Sequence, residues 1–198
     1  FPAATLNALR EPMEDRMISI SRATGSITFP ANFQLLAATN PCRCGYIFTE
    51  NKKCTCTQLL IKNLYRKIIG PFLDRISVEI ELRGNHPARI ITSGEEKNTA
   101  YWKSHVIEAR QRMIHRNDNL PNSQLPLDKV AKIYHEIDNF DAMMRNYSQT
   151  IMLSNRGLLN TLRTGISIMD FHESGRMREE YLNEAFKLRV ICHMKNKL

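Results

Sequence analysis

Two C-x-C pairs, Cys42/Cys44 and Cys54/Cys56, stand nine residues apart and constrain this chain more than any other feature of its sequence. In an extended backbone, residues i and i+2 face the same side, so each pair can present two sulfurs to one point. Two such pairs joined by a loop can close a tetrahedral four-thiolate site, for which zinc is the usual ion. Arg43, Lys52 and Lys53 lie within the segment and would offset part of the thiolate charge. Two disulfides are the competing reading and require an oxidising compartment. Four merely buried thiols are a third, and a loop rich in Thr, Lys and Asn fits them poorly. The fifth cysteine, Cys192, reads as a packing residue in the last helix.

The remaining composition bounds the setting. The chain has 198 residues, 42% hydrophobic and 24% charged, enough for one ordinary domain or two small ones. No apolar run is long enough to span a membrane, and Phe1-Pro2-Ala3-Ala4 opens no signal peptide. A cytoplasmic protein with no membrane partner is expected. The absence of an initiator Met reads as a fragment, and a processed or trimmed chain would look the same. The net charge of +8 favours polyanions such as nucleic acid or nucleotide phosphates. Because the basic residues are spread along the chain without a block, a solvated basic surface explains the charge equally well.

Along the chain, residues 3–10 read as a short helix stopped by Pro12. Residues 17–22 and 26–29 alternate around Ala23-Thr24-Gly25, which predicts a hairpin. Residues 33–39 form an apolar run expected as a buried strand of a parallel sheet, and 76–82 an alternating strand exposed on one face. A helix is expected over 58–69, broken by Gly70-Pro71. Helical patterns follow near 95–117, 128–145, 155–170 and 178–195. The expected fold class is therefore α/β over residues 1–89 followed by an all-α portion over 90–198. Two core strands and a hairpin cannot close a sheet with both faces covered, which argues for further strands upstream.

Several stretches, taken together, resemble one family. These are Phe1-Pro2, Leu6, Leu9-Arg10, Pro12, Glu14-Asp15; Ile18-Ser19-Ile20-Ser21-Arg22-Ala23; Phe29-Pro30-Ala31; and Asn40-Pro41-Cys42-x-Cys44-Gly45-Tyr46. Gly70-Pro71-x-Leu73-Asp74-Arg75-Ile76, Ala109-Arg110, Gln111-Arg112, Asn122-Ser123-Gln124-Leu125, Ser154-Asn155-Arg156, Leu162-Arg163-Thr164 and Glu184-Ala185-x-x-x-Arg189 continue it in order. The chain resembles magnesium-chelatase-like AAA+ ATPases of the ComM (YifB) type, from just after the Walker B acids onward. It departs from the family pattern at Ile69, Ser77 and Asn155. The resemblance implies the C-terminal part of an αβα core with a hairpin insertion, then a helical lid. The ATP phosphate-binding loop and the Walker B pair would precede Phe1.

The same resemblance assigns roles. Asn40, expected at the end of the 33–39 strand, would be sensor 1, orienting the attacking water; a turn-forming Asn before Pro41 is the plainer alternative. Arg75 would be the arginine finger reaching a neighbouring subunit's ATP; otherwise it is a surface Arg paired with Asp74 or Glu79. Arg156, just after the expected N-cap Ser154, would be sensor 2 and bind nucleotide on the lid, or else a solvated helix-start Arg. Hairpins of this kind line the pore of ring helicases, so Arg22 and Arg16 are candidate DNA contacts; a subunit-contact hairpin is the alternative. The resemblance adds ATP with Mg²⁺ as cofactors, and it contains the four cysteines expected to hold Zn²⁺. It also implies self-assembly into a ring, a hexamer by analogy, and action on DNA in branch migration during natural transformation. A metal-chelatase ATPase subunit and a non-enzymatic, zinc-bearing nucleic-acid-binding domain are the other two readings. Lacking a phosphate loop, the isolated chain is expected not to hydrolyse ATP.

Overall fold

Alternation of apolar residues with hydroxyls dictates a two-stranded hairpin. The computed structural model describes residues 2–49, 52–68, 71–82, 98–151 and 153–189, and in it β1 (Met17–Arg22) pairs antiparallel with β2 (Gly25–Pro30), Met17 opposite Pro30 and Arg22 opposite Gly25. This register separates two faces. Ser19 meets Thr28 at 3.1 Å and Ser21 meets Ser26 at 2.8 Å on one; Ile18/Phe29 and Ile20/Ile27 are cross-strand pairs on the other. Both strands are exposed along their whole length.

Ahead of the hairpin lie α1 (Ala3–Ala8) and α2 (Arg10–Asp15). Pro12 does not end a helix as expected but sits in the first turn of α2, where a missing N–H costs nothing. After the hairpin the described residues of 31–57 are irregular, and then comes α3 (Gln58–Ile68), which buries Ile61 and Tyr65 one turn apart. Leu73–Arg75 forms one 3₁₀ turn.

The strand expected at 33–39 is not formed: those residues are irregular, and Leu36 is 95% exposed. A parallel strand needs hydrogen-bonded neighbours, and among the described residues β1 and β2 are the only strands and pair with each other. For the same reason the 76–82 strand reduces to one bridge, Glu79 parallel to Arg189, with Ile80 and Leu82 exposed. The expected α/β layer is thus represented among the described residues by the hairpin alone.

The chain divides into two compact units between Ile76 and Ser77. The boundary expected at 89/90 and Cys192 lie outside the described residues, whereas the helix expected over 178–195 ends at Lys187, with Leu188 in a turn and Arg189 in a bridge. In the second unit, α4 (Thr99–Arg116) opens on Asn98, whose side chain accepts the Tyr101 N–H at 2.9 Å. The helix expected over 128–145 is two, α5 (Leu127–Tyr134) and α6 (Phe140–Thr150). Asn139 between them adopts the left-handed conformation (φ 62°) that Asn tolerates better than most residues. Next, α7 (Asn155–Phe171) begins at Ser154, whose hydroxyl accepts the Gly157 N–H at 3.1 Å, and α8 (Glu179–Lys187) packs against it. Glu179 and Glu180 in the first turn of α8 and Lys187 in its last complement the helix dipole. Leu125, Val130, Tyr134, Ile166, Leu182 and Phe186 make the centre of this core. No helix among the described residues is long and apolar enough to cross a membrane.

Two features fix α7. At its C-terminal end, Asp170 is 3% exposed and receives Arg116, while Asn122 Nδ2 donates to Asp170 Oδ2 at 2.8 Å and to Ser167 Oγ at 3.0 Å. Asn122 Oδ1 in turn accepts from Arg116 and Asn117, each at 2.8 Å. At mid-helix, Gly165 admits Tyr134, whose hydroxyl donates to the Leu162 carbonyl at 2.7 Å. A β-carbon at Gly165 would stand 2.3 Å from Tyr134 Oη, and the fully buried ring cannot swing away. Gly165→Ala should cost about 2 kcal/mol or more through overpacking, despite Ala's better helix propensity. The added change Tyr134→Phe removes the colliding atom, leaving the ring carbon 3.6 Å away. The double variant should therefore melt above Gly165→Ala alone. If the two destabilisations simply add in thermal melts, the collision is not the cause.

Candidate metal centre

The described residues of the segment 40–57 hold their shape through turns and backbone amides, with no helix or strand among them. The Gly45 N–H donates to the Cys42 carbonyl at 3.1 Å, and Gly45 itself is left-handed (φ 81°), which a residue with a β-carbon would resist. Past this turn the Tyr46 N–H points back at the Cys44 sulfur. On the second arm, the Thr55 N–H also reaches Cys44 and the Cys56 N–H reaches Cys54. Lys52 joins the arms again: Nζ donates to Tyr46 Oη at 3.0 Å and lies 4.2 Å from the ring centre.

The two C-x-C pairs converge. Cys42 and Cys44 sulfurs lie 3.4 Å apart, Cys42 and Cys54 3.7 Å, Cys44 and Cys54 3.5 Å, and all four sulfurs are within 4.8 Å of one another. None is disulfide-bonded. A tetrahedron with zinc–sulfur bonds of about 2.3 Å has edges of roughly 3.8 Å, so the three short separations are those of thiolates around one ion. Cys42 is 1% exposed and the other three are half-buried, so a bound ion would be shielded on one side. The residues present fit a structural zinc ion, which would crosslink the two arms.

Electrostatics agree with the geometry. The backbone N–H groups of Tyr46 and Thr55 stabilise a thiolate at Cys44 and hold its pKa down to about 6. Cys54 receives the Cys56 N–H, which favours its thiolate, but desolvation and the adjoining sulfurs of Cys44, Cys42 and Cys56 outweigh it and push the thiol up to about 12. One ready thiolate beside a thiol that resists ionising is an arrangement a cation relieves.

The other residues singled out in the sequence are placed as follows. Asn40 is exposed, two residues before Cys42, in irregular backbone rather than at a strand end. Arg75, its side chain 11% exposed, donates Nε to the Arg10 carbonyl at 3.0 Å, Nη1 to the Pro71 carbonyl and Nη2 to the Glu14 carboxylate. Its partner is thus Glu14 rather than Asp74 or Glu79, while Glu79 pairs with Arg189. Arg156 is exposed in the first turn of α7, in the second unit. Arg22 is exposed at the hairpin turn, and Arg16 is half-buried and left-handed at the end of α2. Sequence reasoning missed Glu14 as the residue that holds Arg75. The two are 61 positions apart, and no local pattern links them.

Comparison with known proteins supplies the rest. Residues 1–90 match the family model of magnesium chelatase, subunit ChlI, and residues 96–189 that of the ChlI C-terminal region. Protein YifB of Escherichia coli, itself uncharacterized, is 32% identical over 195 residues, spanning 96% of this chain and 37% of the relative. Competence protein ComM of Haemophilus influenzae is 30% identical over 200 residues, spanning 100% of this chain and 38% of the relative. An uncharacterized protein of Mycobacterium tuberculosis is 26% identical over 170 residues, 84% of this chain. The chain thus spans well under half the length of these relatives.

Proposed function

The chain belongs to the magnesium chelatase ChlI family, alongside YifB and ComM, and from that membership we propose that it forms the C-terminal part of a ComM-type AAA+ ring ATPase acting on DNA. The observation that carries this reading is the ordered match of both halves of the family, over residues 1–90 and 96–189. On this reading residues 1–89 belong to the ATPase core and 90–198 to the helical lid. Asn40 positions the attacking water, Arg75 stabilises charge on a neighbouring subunit's γ-phosphate, and Arg156 couples nucleotide to the lid. The chemistry of ATP with Mg²⁺ is phosphoryl transfer, and this chain's own part in it is to position and to neutralise. In this structure the Arg75 guanidinium is held by two carbonyls and the Glu14 carboxylate, so to reach a neighbouring γ-phosphate it must first release Glu14. Arg22 and Arg16 contact the DNA backbone, zinc staples the cysteine loop, and a reducing cytoplasm keeps its cysteines from forming disulfides.

The sequence has no Gly-Lys-Ser/Thr segment to cradle phosphates. The purified chain should therefore hydrolyse no ATP. Grafted into E. coli YifB in place of the matching region, it should support turnover, and Arg75→Ala in that chimera should lower the rate about 10³-fold or more. ATP hydrolysis by the chain alone, or a chimera indifferent to Arg75→Ala, would falsify the reading. The four-sulfur cluster and the +8 charge favour one alternative, a zinc-bearing nucleic-acid-binding domain without catalysis.

A further inference from the structure

The first two turns of α4 carry a group of rings that neither the metal centre nor the nucleotide residues use. Tyr101 and Trp102 are 36% and 46% exposed, and α4 has no fully buried residue. Tyr101 lies against His105 with ring centres 4.2 Å apart and meets Trp102 edge to face at 5.3 Å. Phe171, at the end of α7, backs this group: its ring is stacked with Trp102 at 6.2 Å, tilted by 21°, and lies 6.2 Å from His105. The backing is rigid, because the adjacent Asp170 is clasped by Arg116 and Asn122, and its carbonyl accepts Arg112 Nε at 2.8 Å.

We propose that this face of α4, centred on Trp102 and Tyr101, is a stacking platform for the bases of single-stranded nucleic acid. Aromatic rings held in place with part of their surface exposed suit base stacking, which tolerates any base because every base has a π-face. The charge around them suits the same partner. Lys103 and Arg110 are exposed on α4 on the side of Trp102, while its only acid, Glu108, falls two turns along on the side of Tyr101. Glu173 lies 3.9 Å from Arg112 and pairs with it rather than confronting a phosphate backbone alone. The platform belongs to the second unit and works by stacking, whereas Arg16 and Arg22 belong to the first and would act by charge. The two proposals therefore stand or fall separately.

Trp102 is the chain's only tryptophan, so its fluorescence reports on the platform directly. The test titrates the full chain with a short oligothymidylate and with an abasic strand of equal length, following Trp102 emission and the anisotropy of labelled strand. Trp102 emission should be quenched in parallel with binding, and the abasic strand should bind more weakly. Trp102→Ala should weaken oligothymidylate binding about 5- to 150-fold with melting unchanged, and Trp102→Phe should restore most of it. Tyr101→Ala gives an independent variant should Trp102→Ala melt early. Arg22→Ala, by contrast, should weaken both strands alike if the hairpin reading holds. The proposal is overturned if no strand binds, if emission is unchanged at saturation, or if intact and abasic strands bind equally. Self-association that quenches Trp102 without any oligonucleotide would also overturn it, by showing that a second copy covers the face.

Discussion

Stripping the metal with a strong chelator is expected to unfold the first unit and to leave the clasp around Asp170 in place. That unit has little else to hold it: its buried apolar side chains among the described residues are Cys42, Ile61, Tyr65 and Leu73, with the buried ring of Pro12. So few contacts do not offset the entropy of ordering the segment, and small units of this kind need a crosslink. Structural zinc supplies apparent binding free energies of about 10–16 kcal/mol in zinc-finger peptides at neutral pH, far more than the core here. Protein purified without chelator should contain one zinc per chain, and Cys42→Ser should contain none. Hydrogen exchange should show α3 and the hairpin losing protection, while the partners of the clasp, all between residues 112 and 173, keep theirs. Acid should act like the chelator. Cys44 is depressed from an ordinary 9.0 to about 6, so its contribution is complete above about pH 9 and is lost as the pH falls through 6. Cys54, raised to about 12, runs the other way between pH 9 and 12, and metal binding must displace its proton. Zinc occupancy followed with a chromogenic chelator should therefore drop steeply below pH 6. A metal-free preparation with full exchange protection would sink the zinc assignment.

Asp170→Ala is expected to destabilise the second unit by about 3–4 kcal/mol, the range for breaking one side of a largely buried ion pair. The loss leaves the Arg116 guanidinium with a single side-chain acceptor contact to Asn122 and another to Asn117, and it orphans one Asn122 amide hydrogen. Arg116 is about a quarter exposed, so water softens the penalty without removing it. Asp170→Asn should do little better, since its amide nitrogen would face the donors of Arg116 or Asn122. Urea denaturation monitored in the far ultraviolet would check this: a midpoint unchanged within error for Asp170→Ala would mean the clasp is ornamental.

The hairpin, the Ser154 cap and the meeting of four cysteines were legible because each is written locally. Alternation plus a Gly-bearing turn, a hydroxyl three residues before the N–H it accepts, and two i, i+2 pairs all act over a few positions. What failed was non-local. The run Phe33–Thr39 is apolar whether or not a neighbouring strand exists, so its composition cannot distinguish a sheet strand from an exposed segment. Pro12 carries the local signal of a helix stop, yet a proline is equally at home in the first turn of the next helix, and the sequence alone does not separate the two. The break at Asn139 turns on one residue's tolerance of positive φ within an otherwise helical pattern. Nothing local to Glu14 marks it as the carboxylate that meets Arg75, because only the folded chain brings the two together.

The bridge between Glu79 and Arg189 has a mechanical consequence. Arg189 is fully buried, its Nη1 is 3.4 Å from the Glu79 carboxylate, and the Glu79 N–H donates to the Leu188 carbonyl at 2.7 Å. The two backbones run parallel there. Tension entering at Ser77 and leaving beyond Arg189 would pull them in opposite directions along their length, loading the ion pair and the hydrogen bond together in shear rather than peeling them one at a time. A helical unit fastened in this way can be tugged from both ends and still move as one body.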